Sequence, residues 1–117
     1  MIPDPQAFAA AWIDAWNRHD LNAILAHYDE TIVFTSPAAA RVTGRVDGRV
    51  EGRAALADYW GKALALAPDL TFTLLSVLRG TDGLALRYHS SRTGRDVVEV
   101  LRFGPSGLAV EAAAYYE

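Results

Sequence analysis

The stretch from Gly83 to Phe103 reads GLALRYHSSRTGRDVVEVLRF and decides the fold. Both arms alternate in polarity, and the second arm, VVEVLRF, also has the valines and the aromatic residue typical of strands. Thr93-Gly94 lies between the arms and is a turn signal. The stretch therefore predicts a β-hairpin with strands at about 83–92 and 96–103.

The alternation also predicts which side chains of the hairpin share a face. If the turn has two residues, Tyr88 lies opposite Glu99, on the same face as Leu101 and Phe103. This face should meet the core, because it is the more apolar of the two, whereas the other face carries Arg87, His89 and Arg102 beside its valines. A carboxylate, Glu99, is thereby predicted to point into apolar surroundings.

The rest of the chain predicts helices first and more strands afterwards. Strand-like runs at about 70–79 and 107–116 extend the hairpin to an antiparallel meander. Asp4-Pro5 is a helix start, because Asp caps free N–H groups and Pro suits the first helical position. That helix should end near His19, with a broad aromatic face.

Two further helices and one strand are predicted between this helix and the meander. Asp20 can cap a second helix over 21–30, and a strand should follow from Thr31 to Ser36. Arg53 to Ala67 is predicted as the third helix, which Pro68 ends. We therefore expect one α+β domain over residues 1–117, with three helices of the N-terminal half packed on one face of the sheet.

A four-residue repeat, RVTGRVDGRVEGR, runs from Arg41 to Arg53. Glycine at every fourth position disfavours a stable helix and predicts a loop, with room for a short hairpin. Its arginines could form a basic lip for an anionic ligand. A solvated loop is the other interpretation and the one we favour, because runs of charge usually form exposed faces.

Composition excludes several classes of function. Apolar residues make up 51% of the 117 residues and charged residues 21%, which indicates a globular protein. A net charge of −3 with mixed signs disfavours nucleic-acid and membrane partners. The chain has no cysteine, and its three histidines have no metal-binding spacing, so we expect no metal and no cofactor. Without a visible signal peptide or membrane span, we expect a cytoplasmic protein.

The predicted core combines large aromatic side chains with small ones. Ala112 and Ala114 of the last strand leave room opposite the aromatic residues of the helices and the first strand. This combination predicts a cavity, unless the tryptophans fill the room themselves, which is the commoner role of aromatic residues at helical spacing. The predicted ligand pocket consists of Trp12, Trp16, Tyr28, Phe34, Ser36, Trp60, Tyr88, Leu101 and Tyr116.

Several segments together resemble the nuclear transport factor 2-like superfamily, and above all its SnoaL-like, ketosteroid-isomerase-related bacterial branch. They are AWNRHD (15–20), LNAILAHYDETIVFTSP (21–37), GRAALADYW (52–60) and VVEVLRF (97–103), followed by a last strand rich in aromatic residues. The resemblance implies a cone-shaped fold, in which a curved antiparallel sheet encloses a pocket at its open end. It also implies a homodimer through the outer sheet face.

Comparison with ketosteroid isomerases implies that the pocket is retained and the steroid chemistry is not. The position of the catalytic base falls on Ser36, and the positions of the two tyrosines fall on Trp12 and Trp60. The second donor, a carboxylic acid kept protonated by apolar surroundings, corresponds to Glu99. An isomerase-like or polyketide-cyclase-like proton transfer remains open, because a single pocket acid could serve there.

Glu99 is therefore the candidate catalytic residue, and three interpretations of it are open. Burial in an aromatic pocket would raise its pKa into the range useful for acid–base catalysis. It could instead be a structural group that bonds Tyr88 or a tryptophan N–H. It could also be an ordinary carboxylate at a wet pocket mouth. The expected partner is a small hydrophobic or aromatic molecule, to be converted by a cofactor-free enzyme or held by a binding module; a structural dimerisation domain is the third possibility.

Overall fold

The computed structural model describes residues 2–117, which form an α+β fold as predicted. One six-stranded sheet has the strand order β2-β1-β6-β5-β4-β3. Its neighbours are antiparallel except β1 and β6, which are parallel. In chain order the elements are α1 Pro5–Asn17, α2 Leu21–Leu25, β1 Tyr28–Thr35, α3 Pro37–Thr43, β2 Arg49–Glu51, α4 Arg53–Leu66, β3 Phe72–Arg79, β4 Gly83–Ser90, β5 Arg95–Phe103 and β6 Ala109–Tyr116.

The helix starts follow the capping residues that the sequence predicts. The Asp4 carboxylate accepts from the Ala7 N–H at 2.9 Å, and Pro5 opens α1. Asp20 caps α2 in the same way, through the Ala23 N–H at 3.1 Å. These bonds satisfy backbone donors that a helix leaves free at its N-terminus and so fix where each helix begins.

The core lies between the helices and the inner face of the sheet. From α1 it takes the predicted aromatic face, in which Phe8, Trp12 and Trp16 are buried. From the sheet it takes alternate residues of β4, β5 and β6, in keeping with the two-residue period of strands. The end of the core nearest α4 is not filled and contains the cavity described below.

The second helix is shorter than predicted, and Tyr28 belongs to a strand. The sequence predicts helix through 21–30, but α2 ends at Leu25 and β1 begins at Tyr28. Tyr28 pairs with Ala109 of β6, about eighty positions further along the chain. Long-range strand pairing thus overrides a local helical pattern, a common outcome for short segments.

Only the middle of the arginine–glycine repeat, residues 44–48, is the loop that the sequence predicts. The first residues of the repeat complete α3, which Ser36 caps through the Ala38 N–H at 3.1 Å and which Gly44 ends in a left-handed conformation, φ +79°. Its later residues form β2, which pairs with β1. The glycines therefore bound two short elements instead of interrupting one, and Arg41 lies on a helix.

The hairpin register differs by two residues from the predicted one. Ser90 pairs with Arg95, so the turn has four residues, and Leu86 lies opposite Glu99 where Tyr88 was expected. Gly94 adopts φ +68°, and its N–H donates to the Ser90 carbonyl at 2.9 Å. A shift of two residues preserves the side-chain alternation, so the predicted inner face is correct.

Candidate functional site

A cavity of about 560 Å³ opens between α1, α4 and the inner face of the sheet. Its volume falls in the range of small-molecule sites, and its wall is rich in aromatic side chains. The tryptophans therefore line the space and do not fill it. The aromatic residues of the wall are Trp12, Trp16, Phe34, Tyr59, Trp60, Phe72, Tyr88 and Tyr116.

Glu99 projects from β5 into this aromatic surround and is 3% exposed. Removal from water penalises the charged form and raises the pKa of the carboxyl from an ordinary 4.5 to about 8, against the opposing effect of the hydrogen bond from Tyr88. The carboxyl is therefore mainly neutral near pH 7.

The two oxygens of Glu99 have different surroundings. Tyr88 Oη donates to Oε1 at 3.4 Å, a long hydrogen bond. Oε2 is buried and has no protein partner among residues 2–117. A neutral carboxyl that accepts at Oε1 has its proton available at Oε2. Glu99 can thus donate one strong hydrogen bond to a molecule in the cavity.

A second buried donor lines the same cavity. The Trp16 Nε1–H is buried and, like Glu99 Oε2, lacks a protein partner within residues 2–117. Buried polar atoms in native proteins are nearly always hydrogen-bonded, and a pair of unsatisfied ones needs an explanation. A ligand with two acceptor atoms would satisfy both.

The indole N–H of Trp12 already has a hydrogen-bond partner in the protein. Its Nε1–H donates to Tyr28 Oη at 2.9 Å within the core. Burial raises the pKa of Tyr28 well above 10, as does the nearby Glu99 carboxylate when it ionises. The same two causes raise the pKa of Tyr88. Both phenols therefore remain neutral wherever Glu99 titrates.

Three residues of the predicted pocket lie outside the cavity wall. Tyr28 is fully buried beneath Trp12, and Leu101 is fully buried in the packed part of the core. Ser36 caps α3 with its hydroxyl oxygen, and the same hydroxyl donates to Tyr116 Oη at 3.3 Å. Trp12, Trp16, Phe34, Trp60, Tyr88, Tyr116 and Glu99 do line the cavity.

The rim contains side chains that the predicted pocket lacked. Arg41 comes from α3, Arg92 from the β4–β5 turn and Arg95 from the start of β5, and all three are exposed. The alternation of β3 could have indicated Phe72, and helical spacing could have indicated Tyr59 beside Trp60. Arg92 and Arg95 gave no comparable signal, because the length of the turn determines where they lie. Arg41 belongs to the repeat whose arginines could form a basic lip, and it does line the cavity.

Two kinds of feature are absent from the described part of the chain. Residues 2–117 contain no group of three His, Asp or Glu side chains placed to hold a metal ion. No helix among them is long and apolar enough to cross a membrane.

The curved sheet, the packed helices and the cavity define the cone-shaped fold of nuclear transport factor 2-like proteins. A sequence model of the SnoaL-like domain matches residues 9–115, and the chain belongs to that family. A comparison with curated proteins found no match.

Solved structures include close relatives of the fold. A SnoaL-like protein of unknown function from Burkholderia thailandensis is 39% identical, with a TM-score of 0.92 over 97% of this chain and 99% of that one. AclR, a proposed hydroxylase from Streptomyces galilaeus, is 26% identical, with a TM-score of 0.73 over 96% of this chain and 87% of its own. IdmH, a proposed polyketide cyclase from Streptomyces antibioticus, is 20% identical, with a TM-score of 0.78 over 98% of this chain and 93% of its own.

Proposed function

We propose that this protein binds a small aromatic or hydrophobic carbonyl compound in its cavity and catalyses a cofactor-free proton transfer on it, with Glu99 as the acid. One observation carries the proposal: a fully buried carboxyl with one oxygen that lacks a protein partner, on a residue that lines an open aromatic cavity. Ionisable groups with strongly shifted pKa values in clefts are enriched at functional sites.

The chemistry follows from the protonation state of Glu99. As a neutral acid it donates a hydrogen bond to a substrate carbonyl oxygen, which increases the acidity of the adjacent C–H bonds. Solvent water that enters the open cavity accepts the C–H proton and returns a proton to carbon, and Glu99 keeps its own proton. A pKa of about 8 lies near neutral pH, where an acid–base catalyst is most efficient. Isomerisation and polyketide-type cyclisation both use such a step, and the proposed cyclase IdmH shares the fold.

A binding module without catalysis is the alternative, and one feature of the cavity favours it. The other carboxylates of the wall, Asp96 and Glu117, lie towards the rim. The interior as described thus offers Glu99 alone for acid–base work. A single acid could orient a ligand without any reaction.

Prodan separates the two functions. This neutral naphthalene ketone has exchangeable protons beside its carbonyl, and its emission responds to hydrogen bonding at the carbonyl oxygen. The wild type in D2O should bind prodan and speed deuterium uptake at the methylene beside the carbonyl, followed by mass spectrometry. Glu99→Gln should bind it comparably and lose about 10²–10⁴-fold of the exchange rate, the usual contribution of general acid–base catalysis.

Glu111→Gln is the matched control, because Glu111 is an exposed carboxylate of β6 paired with Arg102. It should exchange deuterium at the wild-type rate. Binding of prodan without enhanced exchange would support the binding module. Failure of the wild type to bind prodan would remove the support for a carbonyl ligand in this cavity.

A further inference from the structure

The cavity wall is asymmetric from its interior to its rim. The interior is aromatic and carries the neutral Glu99 carboxyl, whereas three arginines stand at the rim. We infer that the ligand is an anionic amphiphile, whose apolar body lies among the tryptophans and whose carboxylate or phosphate group binds Arg41 and Arg92 at the rim. This inference rests on the proposed function and specifies its substrate class.

The rim arginines differ from most arginines of this chain in lacking an acidic partner. Within residues 2–117, Arg41, Arg92 and Arg95 have no carboxylate oxygen within 4.0 Å, and Arg79 is the other such arginine. The arginines that do pair with a carboxylate are Arg18, Arg45, Arg49, Arg53, Arg87 and Arg102. Guanidinium groups from separate elements thus converge on the cavity with their donors unused.

The acidic residues of the rim do not neutralise these arginines. Asp96 is bound by Arg87 at 2.6 Å and lies 3.1 Å from His89 Nδ1. One carboxylate oxygen of Glu117 accepts from the Asp96 backbone N–H at 3.0 Å. Glu117 keeps its negative charge, but the three unpaired arginines outnumber it, so the side chains of the rim have a net positive charge. Guanidinium groups bind carboxylate and phosphate groups through paired hydrogen bonds.

The positive charge also acts on the phenols of the wall. Burial raises the pKa of Tyr59 to about 12, and the Arg92 charge opposes that rise. Burial likewise raises the pKa of Tyr116, against opposing effects that include the charges of Arg41 and Arg92. The arginines are thus close enough to stabilise negative charge at the boundary between rim and interior.

The orientation of the ligand follows from these charges. An anionic group near Glu99 would lack water and would repel the carboxylate when it ionises, whereas the rim is solvated and positive. The anion should therefore face outward. The neutral end of the ligand then places an acceptor atom next to Glu99 Oε2 and Trp16 Nε1.

Two fluorescent probes that differ only in a sulfonate test this inference. They are 8-anilino-1-naphthalenesulfonate (ANS) and its neutral analogue N-phenyl-1-naphthylamine, and energy transfer from the buried tryptophans reports binding. The wild type should bind ANS more tightly than the neutral probe. Arg41→Gln with Arg92→Gln should weaken ANS binding about tenfold, the scale of a lost charge-assisted hydrogen bond, and leave the neutral probe within about twofold.

Arg79→Gln is the matched control, because Arg79 is exposed, lacks a carboxylate partner and lies outside the cavity wall. It should not change the affinity for either probe. All substituted arginines are exposed, and circular dichroism verifies that each variant folds. Displacement of ANS by 1-naphthoate and by 1-naphthyl phosphate then shows which anion the rim prefers.

The outcomes separate the two proposals. Equal affinity for both probes, or an ANS affinity unaffected by the double substitution, would overturn the anionic ligand and leave the proposed proton transfer standing. Absence of binding by either probe would overturn the anionic ligand, and the prodan assay would then decide the proposed function by itself.

Discussion

Raising the pH from 5 to 9 should destabilise the wild-type protein through Glu99. The pKa of this carboxyl is about 8 in the folded protein, against an ordinary 4.5 that applies when the chain is unfolded. Between these values the folded state binds more protons than the unfolded state, so the free energy of unfolding falls as the pH rises. The contribution of Glu99 to the free energy of unfolding is complete below pH 4.5 and is lost by the time the pH passes 8.

The magnitude follows from the difference between the two pKa values. Each unit corresponds to about 1.4 kcal/mol, so the full difference amounts to roughly 5 kcal/mol. That is a large part of the 5–15 kcal/mol that typically stabilises a small domain. Tyr28, Tyr59, Tyr88 and Tyr116 surround Glu99 with pKa values raised above 10, so they remain neutral in this range.

Glu99→Gln isolates this effect, because the amide has nearly the same shape and does not titrate. Urea unfolding, followed by the fluorescence of the buried tryptophans at pH 5, 6, 7, 8 and 9, gives the free energy of unfolding of the wild type and of Glu99→Gln. The difference between wild type and variant should change by up to about 1.4 kcal/mol per pH unit between 5 and 8. Glu111→Gln is the control, because Glu111 is an exposed carboxylate paired with Arg102. Its free energy of unfolding should vary with pH from 5 to 9 as that of the wild type does. Parallel curves for wild type and Glu99→Gln would refute the reasoning.

Two further substitutions test the packing of the core, and a third tests the expected dimer. Trp12→Phe removes the hydrogen bond to Tyr28 and should lower the free energy of unfolding by about 1–3 kcal/mol beyond the loss of ring volume, measured by urea unfolding. Gly83→Ala should lower it by about 1–3 kcal/mol in the same assay, because the new β carbon overlaps the Leu101 carbonyl oxygen. Val100→Glu, on the outer sheet face expected to pair two copies, should give a monomer in sedimentation velocity.

Each of these substitutions has a matched control. Trp16→Phe removes an indole N–H without a protein partner, so it should lower the free energy of unfolding by less than Trp12→Phe does. An equal decrease for both variants would contradict a stabilising Trp12–Tyr28 hydrogen bond. Gly80→Ala should be tolerated, since its β carbon would lie 3.5 Å from the Gly83 carbonyl oxygen, an ordinary van der Waals contact. Leu66→Glu, on an exposed part of α4, should not change the sedimentation, and an unchanged Val100→Glu variant would exclude this face as the interface.

The side of the sheet on which Glu99 lies could be predicted from the sequence, but its partner across the strand could not. Alternation fixes the face, and a two-residue error preserves it. The register depends on the length of the turn, and Thr93-Gly94 is compatible with both the two-residue turn and the observed four-residue one. Tyr88 nevertheless reaches Glu99, diagonally across the strands.

Tyr28 and Arg41 differ from the sequence prediction for two separate reasons. LNAILAHYDE has a helical pattern, yet pairing with β6 draws Tyr28 into a strand. Arg41 begins a repeat that suggests a loop, yet the cap at Ser36 starts a helix that carries it to the rim. At Tyr28 a tertiary contact outweighs local propensity, whereas at Arg41 the local helix start at Ser36-Pro37 outweighs the glycine repeat.

The ionisation of Glu99 can be measured directly by NMR. The side-chain carboxyl carbons of a protein labelled with ¹³C-glutamate are followed from pH 4 to 10, and the Glu99 resonance is assigned by its absence from Glu99→Gln. The cavity acid described here should titrate with a midpoint near pH 8. A midpoint near the ordinary 4.5 would show that Glu99 is ionised at neutral pH and would contradict its role as the proton donor of the cavity.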